Sequence, residues 1–276
     1  MGWSFRGSSE PNSGRRRVEP DAASRYAGRM QLDASDLADF YEAPIGQLAR
    51  RMISRQVRVM WPSAKGSSLF GYGFAVPYLR PYLADAERVV ALMPAQQGVV
   101  AWPSGPPLTA LCDEDSLPFA DAAFDRILVV HGLEGADATR PLLRQLWRVL
   151  APEGRMLLVV PNRTSLWAQL ERSPFALGRP FSRGELDGLL RGALFEPLRW
   201  DRALYLPPLR GRSLVRSGNA WERILRRLLP GLSGVHLVEA GKSLYGATPV
   251  PVGRVRRQWS PVREAPAALN KSFDRL

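Results

Sequence analysis

His131 closes a short apolar run, Asp125–Val130, and Glu134 follows in the same loop. Imidazole changes charge near neutrality, so a histidine placed there serves as a general base or as a wall of a ligand pocket. Ser67–Phe70 runs into Gly71-Tyr72-Gly73, read as a tight turn whose glycines let the backbone pass beside a ligand where a Cβ would collide. Thr109–Cys112 ends in the carboxylates Asp113, Glu114 and Asp115, which either accept hydrogen bonds from a ligand or are simply solvated. His236 has no such context and is expected to pack or to face solvent. Cys112 is the one cysteine, which rules out an internal disulfide and a cysteine-based metal cage, and no other metal-ligand cluster is visible.

The elements that would position these groups follow from periodicity. Ile45, Leu48, Met52, Ile53, Val57 and Met60 recur at helical spacing and predict one amphipathic helix over Asp36–Trp61, with Pro44 near one turn of it. Short apolar runs at Ser67–Phe70, Arg88–Met93, Thr109–Cys112, Asp125–Val130 and Arg155–Val160 read as strands. Between the last two lies a helix over about Thr139–Leu150. Strand and helix in alternation imply a parallel sheet with right-handed crossovers. Ser182-Arg183-Gly184-Glu185 has the form of a capping box opening a helix. Phe195–Leu206 reads as one or two strands broken at Arg199-Trp200-Asp201. Ala220–Leu229 reads as a basic helix, and Val235–Glu239 and Leu244–Ala247 as terminal strands.

Composition bounds the class. With 276 residues, 45% of them hydrophobic, the chain can bury a sizeable core. Its apolar runs are far shorter than the roughly 20 residues of a membrane-crossing helix, and no signal peptide is apparent. A single cysteine suits a reducing cytoplasm, the expected compartment. The net charge of +12 is uneven: residues 1–30 hold six Arg against three acidic residues, and residues 251–276 six Lys+Arg against two. Residues 1–30 and 251–276 are therefore expected to be disordered basic tails around one domain at 31–250, with Met30 as an alternative start. Only three of the 38 Lys+Arg are Lys, a skew that coding bias explains as well as phosphate binding does. Nucleic-acid binding is the lesser reading.

Four stretches, in order, resemble the class I S-adenosylmethionine-dependent methyltransferases of the small-molecule type. They are Leu69-Phe70-Gly71-Tyr72-Gly73; Asp113 through Pro118-Phe119 with Ala123-Phe124-Asp125; Leu146 through Pro152-Glu153-Gly154-Arg155; and Phe181-Ser182 through Phe195. The resemblance implies a Rossmann-like, mostly parallel seven-stranded α/β sheet with helices on both faces. It implies S-adenosyl-L-methionine as cofactor, and Gly71, Tyr72, Gly73, Met93, Asp113, Glu114 and His131 as residues at its site. Asp113 and Glu114 match the region that reaches the adenine amino group; His131 is a candidate for a catalytic base, and Glu134 in the same loop a weaker one.

Two departures stand out. The family usually carries an acidic residue at the end of the second strand to accept the ribose hydroxyls, and here Met93 stands in that place. Phe74-Ala75-Val76-Pro77 occupies the position of a third glycine. The resemblance implies methyl transfer to a small or lipid-like acceptor, with no membrane span. The alternatives are a catalytically silent, partner-binding relative and, less favoured, a nucleic-acid methyltransferase. Arg163, Trp167, Arg179, Trp200 and Tyr205 are candidates to shape an acceptor site, although packing and surface roles suit them better. The Pro-rich loop at 102–107 is a candidate cap for the pocket.

Overall fold

The computed structural model describes residues 33–101, 108–170, 173–208, 222 and 224–243. The basic tails, the 102–107 loop and the strand expected at Leu244–Ala247 lie outside them. Of the basic helix expected at Ala220–Leu229, residues 222 and 224–228 are helical.

Where one helix was expected there are two, α1 (Ala34–Glu42) and α2 (Pro44–Met60). Asp33 caps α1 through the Ser35 N–H at 2.7 Å. Ala43 is extended (φ −66°, ψ 150°), the conformation that a following proline imposes, and Pro44 then opens α2. The seven strands are β1 (Ser68–Gly73), β2 (Arg88–Pro94), β3 (Thr109–Cys112), β4 (Phe124–Val130), β5 (Leu150–Pro161), β6 (Phe195–Ala203) and β7 (Val235–Lys242). They form one sheet in the order β3-β2-β1-β4-β5-β7-β6. β1 to β5 pair in parallel, while β7 runs antiparallel to both β5 and β6. The order of winding reverses at β1, between β2 and β4, and ligands of open α/β sheets sit at that switch point, beyond the carboxyl ends of the strands.

Alternation along the strands divides the core. Leu69, Ala91, Met93, Leu128, Val130, Leu157 and Leu237 cluster with Leu48, Ala49, Met52, Ile53 and Val57 of α2. Phe70, Tyr72, Ile127, Val129, Met156 and Leu158 cluster with Leu142, Leu143 and Leu146 of α4 (Thr139–Val149) and with Leu186 and Leu190 of α6 (Arg183–Gly192). The capping box at the start of α6 is formed in both directions. The helix after β1, α3 (Val76–Leu79), is a single turn continued by a 3-10 turn at Arg80–Tyr82. α5 (Leu166–Gln169) is equally short.

Two expectations are corrected here. Gly71-Tyr72-Gly73 is not a turn but the last three residues of β1, paired to Ala91 and Leu92 on one side and to Leu128, Val129 and Val130 on the other. The chain turns one residue later, at Phe74. β6 is not broken at Arg199-Trp200-Asp201; it runs through to Ala203 with a register shift between Pro197 and Arg199. No helix among the described residues is long and apolar enough to cross a membrane.

Candidate functional site

The switch point brings together the carboxyl ends of β1, β2, β3 and β4. Gly73 faces Val130, the last residue of β4, and His131 follows it with φ 49°, a left-handed backbone that non-glycine residues rarely adopt. Such strain persists only where surrounding contacts hold it, and here they are numerous. Glu134 Oε1 lies 3.0 Å from His131 Nδ1, and the Tyr41 hydroxyl of α1 lies 2.7 Å from Nε2. Tyr78 donates to the Tyr41 oxygen at 2.9 Å, so the single Tyr41 proton is directed to Nε2. The result is a buried chain in one direction: Tyr78 to Tyr41, Tyr41 to His131 and His131 Nδ1–H to Glu134. His131 is 2% exposed and Glu134 3%.

Aromatic rings enclose this chain. Tyr41 stacks on Phe74 with centroids 5.7 Å apart, and the His131 ring lies 5.1 Å from Phe175. Phe175 in turn meets Trp167 and Phe40. Burial disfavours the charged phenolate, so the Tyr41 and Tyr78 hydroxyls titrate well above the ordinary tyrosine range.

The remaining predicted residues divide. Glu114 is buried, accepts the Asp137 N–H at 3.0 Å and lines a cavity with Pro94, Gln96, Gln97, His131 and Gly132. Desolvation raises its pKa, partly opposed by the backbone N–H groups of Asp137 and Ala138. Asp113 is exposed and forms only a local bridge with Ser116. Met93 does not face the cavity: it is fully buried in the core beneath α2, and its sulfur receives the Val100 N–H at 3.4 Å.

The glycines are explained by packing. A Cβ on Gly71 would lie 2.5 Å from Leu79 Cδ1 of α3. Gly73 has φ 73°, and a Cβ there would strike the Val130 carbonyl and come within 2.8 Å of Gly132 Cα. Tyr72 points to the other face, where its hydroxyl is buried without a partner. Burial first, then Glu114 and Cys112, push that hydroxyl's pKa far up. Cys112 is itself raised to about 12, mainly by burial.

Tyr41 and Gln97 were missed from the sequence. Tyr41 is spaced from Leu37 as an ordinary core residue of a helix, and nothing in that spacing signals a partner ninety positions away. Gln97 lies past the end of β2 beside Gln96, so the sequence offers two amide oxygens there without marking which one is buried.

The proposed acceptor residues have other engagements. Trp167 donates to the Leu206 carbonyl at 2.7 Å, and Arg163 bonds Glu185 and the Pro180 carbonyl. Arg179 lies over Phe181, and Trp200 lies beneath Arg183. Tyr205 is buried beside Leu206, its backbone N–H held by Glu222.

The wall of the site suits a polar, nucleoside-like ligand in residue type. Gln97 Oε1, which lines the cavity, and Glu134 Oε2 of the His131 pair are each buried without a hydrogen-bond partner, a costly arrangement that a polar ligand would relieve. The cavity volume is about 10 Å³, room for about one water, so its walls must move apart to admit anything larger. Among the described residues no cluster of three His, Cys, Asp or Glu side chains is placed to hold a metal.

Residues 70–158 match the methyltransferase domain family. The chain is 38% identical over 56 residues to the ubiquinone/menaquinone biosynthesis C-methyltransferase UbiE of Bordetella avium (strain 197N), covering 20% of this chain and 22% of that protein. It is 34% identical over 65 residues to the UbiE of Paraburkholderia phymatum, covering 24% and 26%. The chain thus spans about a quarter of the length of the curated relatives it matches. Among solved structures, a Thermotoga maritima protein described as a SAM-dependent methyltransferase, possible histamine N-methyltransferase, superposes with a TM-score of 0.53 at 17% identity, over 76% of this chain and 95% of the other. A SAM-dependent methyltransferase from Archaeoglobus fulgidus superposes at 0.50 and 16% identity, over 70% and 94%. Residues 70–158 thus match a methyltransferase domain family, and the seven-stranded sheet has the fold of S-adenosylmethionine-dependent methyltransferases of known structure.

Proposed function

We propose that this protein is an S-adenosylmethionine-dependent methyltransferase that acts on a small or lipid-like acceptor, with His131 as the base. The observation that carries the reading is the His131–Glu134 pair at the β1/β4 switch point, buried, strained and flanked by polar atoms without partners. S-adenosylmethionine supplies an electrophilic methyl group on a sulfonium; the chain's own task is to exclude water, orient the acceptor and take its proton. Glu134 holds the proton of His131 on Nδ1, which leaves Nε2 as the acceptor atom. An acceptor hydroxyl that replaces that of Tyr41 at Nε2 hands its proton to the imidazole. The surrounding rings of Phe40, Phe74, Trp167 and Phe175 favour an apolar, ring-bearing acceptor. The partial likeness to quinone-biosynthesis C-methyltransferases supports the same class.

Titration calorimetry with S-adenosylmethionine and S-adenosylhomocysteine tests the reading. Binding in the micromolar range is expected. The cavity of about 10 Å³ favours a second reading, a catalytically silent relative that works through a partner. No binding of either compound up to millimolar concentration would remove the enzyme and leave that second reading.

A further inference from the structure

We infer that the Gln97 side-chain oxygen is the acceptor for the ribose hydroxyls of the adenosyl ligand, replacing the carboxylate that this domain type carries at the end of β2. The inference rests on the methyltransferase reading and adds a residue that reading does not contain.

Three observations carry it. Met93, which stands in the place of the usual carboxylate, is fully buried in the core shared with α2, is engaged by the Val100 N–H and does not line the cavity. Gln97 lines that cavity and is 5% exposed, and its Oε1 has no partner. Its orientation is fixed: Nε2 donates to the His131 carbonyl at 3.1 Å, and only the amide nitrogen can face a carbonyl, so Oε1 points the other way. The backbone holds the side chain in place. The Gln97 N–H closes a turn on the Pro94 carbonyl at 2.9 Å, and the Gln97 carbonyl accepts the Ala34 N–H at 2.7 Å. Glu114, beyond the adjacent strand end, lines the same cavity, with one of its oxygens accepting the Asp137 N–H.

A carboxamide differs from a carboxylate in two respects. It accepts neutral hydrogen bonds, about half as strong as charge-assisted ones, so nucleoside affinity is lower than a carboxylate would give. It also carries no charge to lose in acid.

The test compares adenosine with 2′,3′-dideoxyadenosine by calorimetry on the full chain and on Gln97→Met, which keeps the side-chain length and removes the acceptor. The unaltered protein is expected to prefer adenosine by about tenfold, the value of one buried hydrogen bond. In Gln97→Met that preference disappears, while Met93→Asp leaves adenosine binding no tighter. Equal binding of the two nucleosides by the unaltered protein overturns the inference without recourse to any variant. So does a preference that survives in Gln97→Met, shown to be folded by its melting curve. S-adenosylhomocysteine bound in the micromolar range with no hydroxyl preference sinks Gln97 alone; no binding by any of the three compounds sinks the methyltransferase reading with it.

Discussion

His236 is the second histidine, and its environment sets a pH dependence opposite in origin to that of a paired group. It lies in β7 between Val160 and Arg202, 4% exposed, with both ring nitrogens unpartnered. Burial first, then the Arg202 and Arg183 charges, lower its pKa from 6.5 to about 4. The unfolded chain therefore binds this proton more readily than the folded one. Stability from this group is complete above pH 6.5 and is lost as pH falls toward 4, by roughly 3 kcal/mol at about 1.4 kcal/mol per unit. Melting curves between pH 7 and 4 are expected to fall less steeply for His236→Leu than for the unaltered protein. Gly73 gives a second test at this scale. Its positive φ and its contact with Val130 and Gly132 make Gly73→Ala destabilising by about 2 kcal/mol or more with no ligand present. A melting temperature unchanged from the unaltered protein, with only ligand affinity lost, would show that the glycine is kept for the ligand instead.

At the scale of elements, α1 is the part that ties the two sides of the site together. It spans the switch point from the Gln97 carbonyl, held by Ala34, to the His131 ring, held by Tyr41, and it is joined to α2 by the extended Ala43. The sequence showed the apolar period of α2 clearly, because Leu48, Met52, Ile53 and Val57 all face the sheet. It did not show the break, because the period continues across Pro44 and only the proline itself interrupts it. The strands before His131 and Asp113 were legible as buried apolar runs. The glycines of Gly71-Tyr72-Gly73 suggest a turn by type, whereas here they extend β1 so that α3 and the end of β4 can come close. The edge strand β6 was split for a related reason: its half-exposed residues show no clean alternation. The site was legible where one segment sufficed, as for His131, Glu134 and Glu114. Tyr41 and Gln97 depend on long-range packing that no local pattern encodes.

Across the whole molecule, the stretch that matches the family, 70–158, and the body that shares a core do not coincide. One face of that stretch, including Ala91, Met93, Leu128, Val130 and Leu157, is covered by α2, which lies before it in the chain. The outer edge of β5, from Arg155 to Pro161, is paired by β7, which lies some seventy residues after it. A fragment limited to 70–158 would present a bare apolar sheet face and an unpaired edge, both routes to aggregation. It is expected to show no cooperative thermal transition by circular dichroism, whereas a fragment of 33–243 keeps one. A sharp transition in the short fragment would refute this. The recognisable stretch is therefore a unit of descent and not a unit of folding: it could not be transplanted between proteins unless a helix from upstream and a strand from downstream travelled with it.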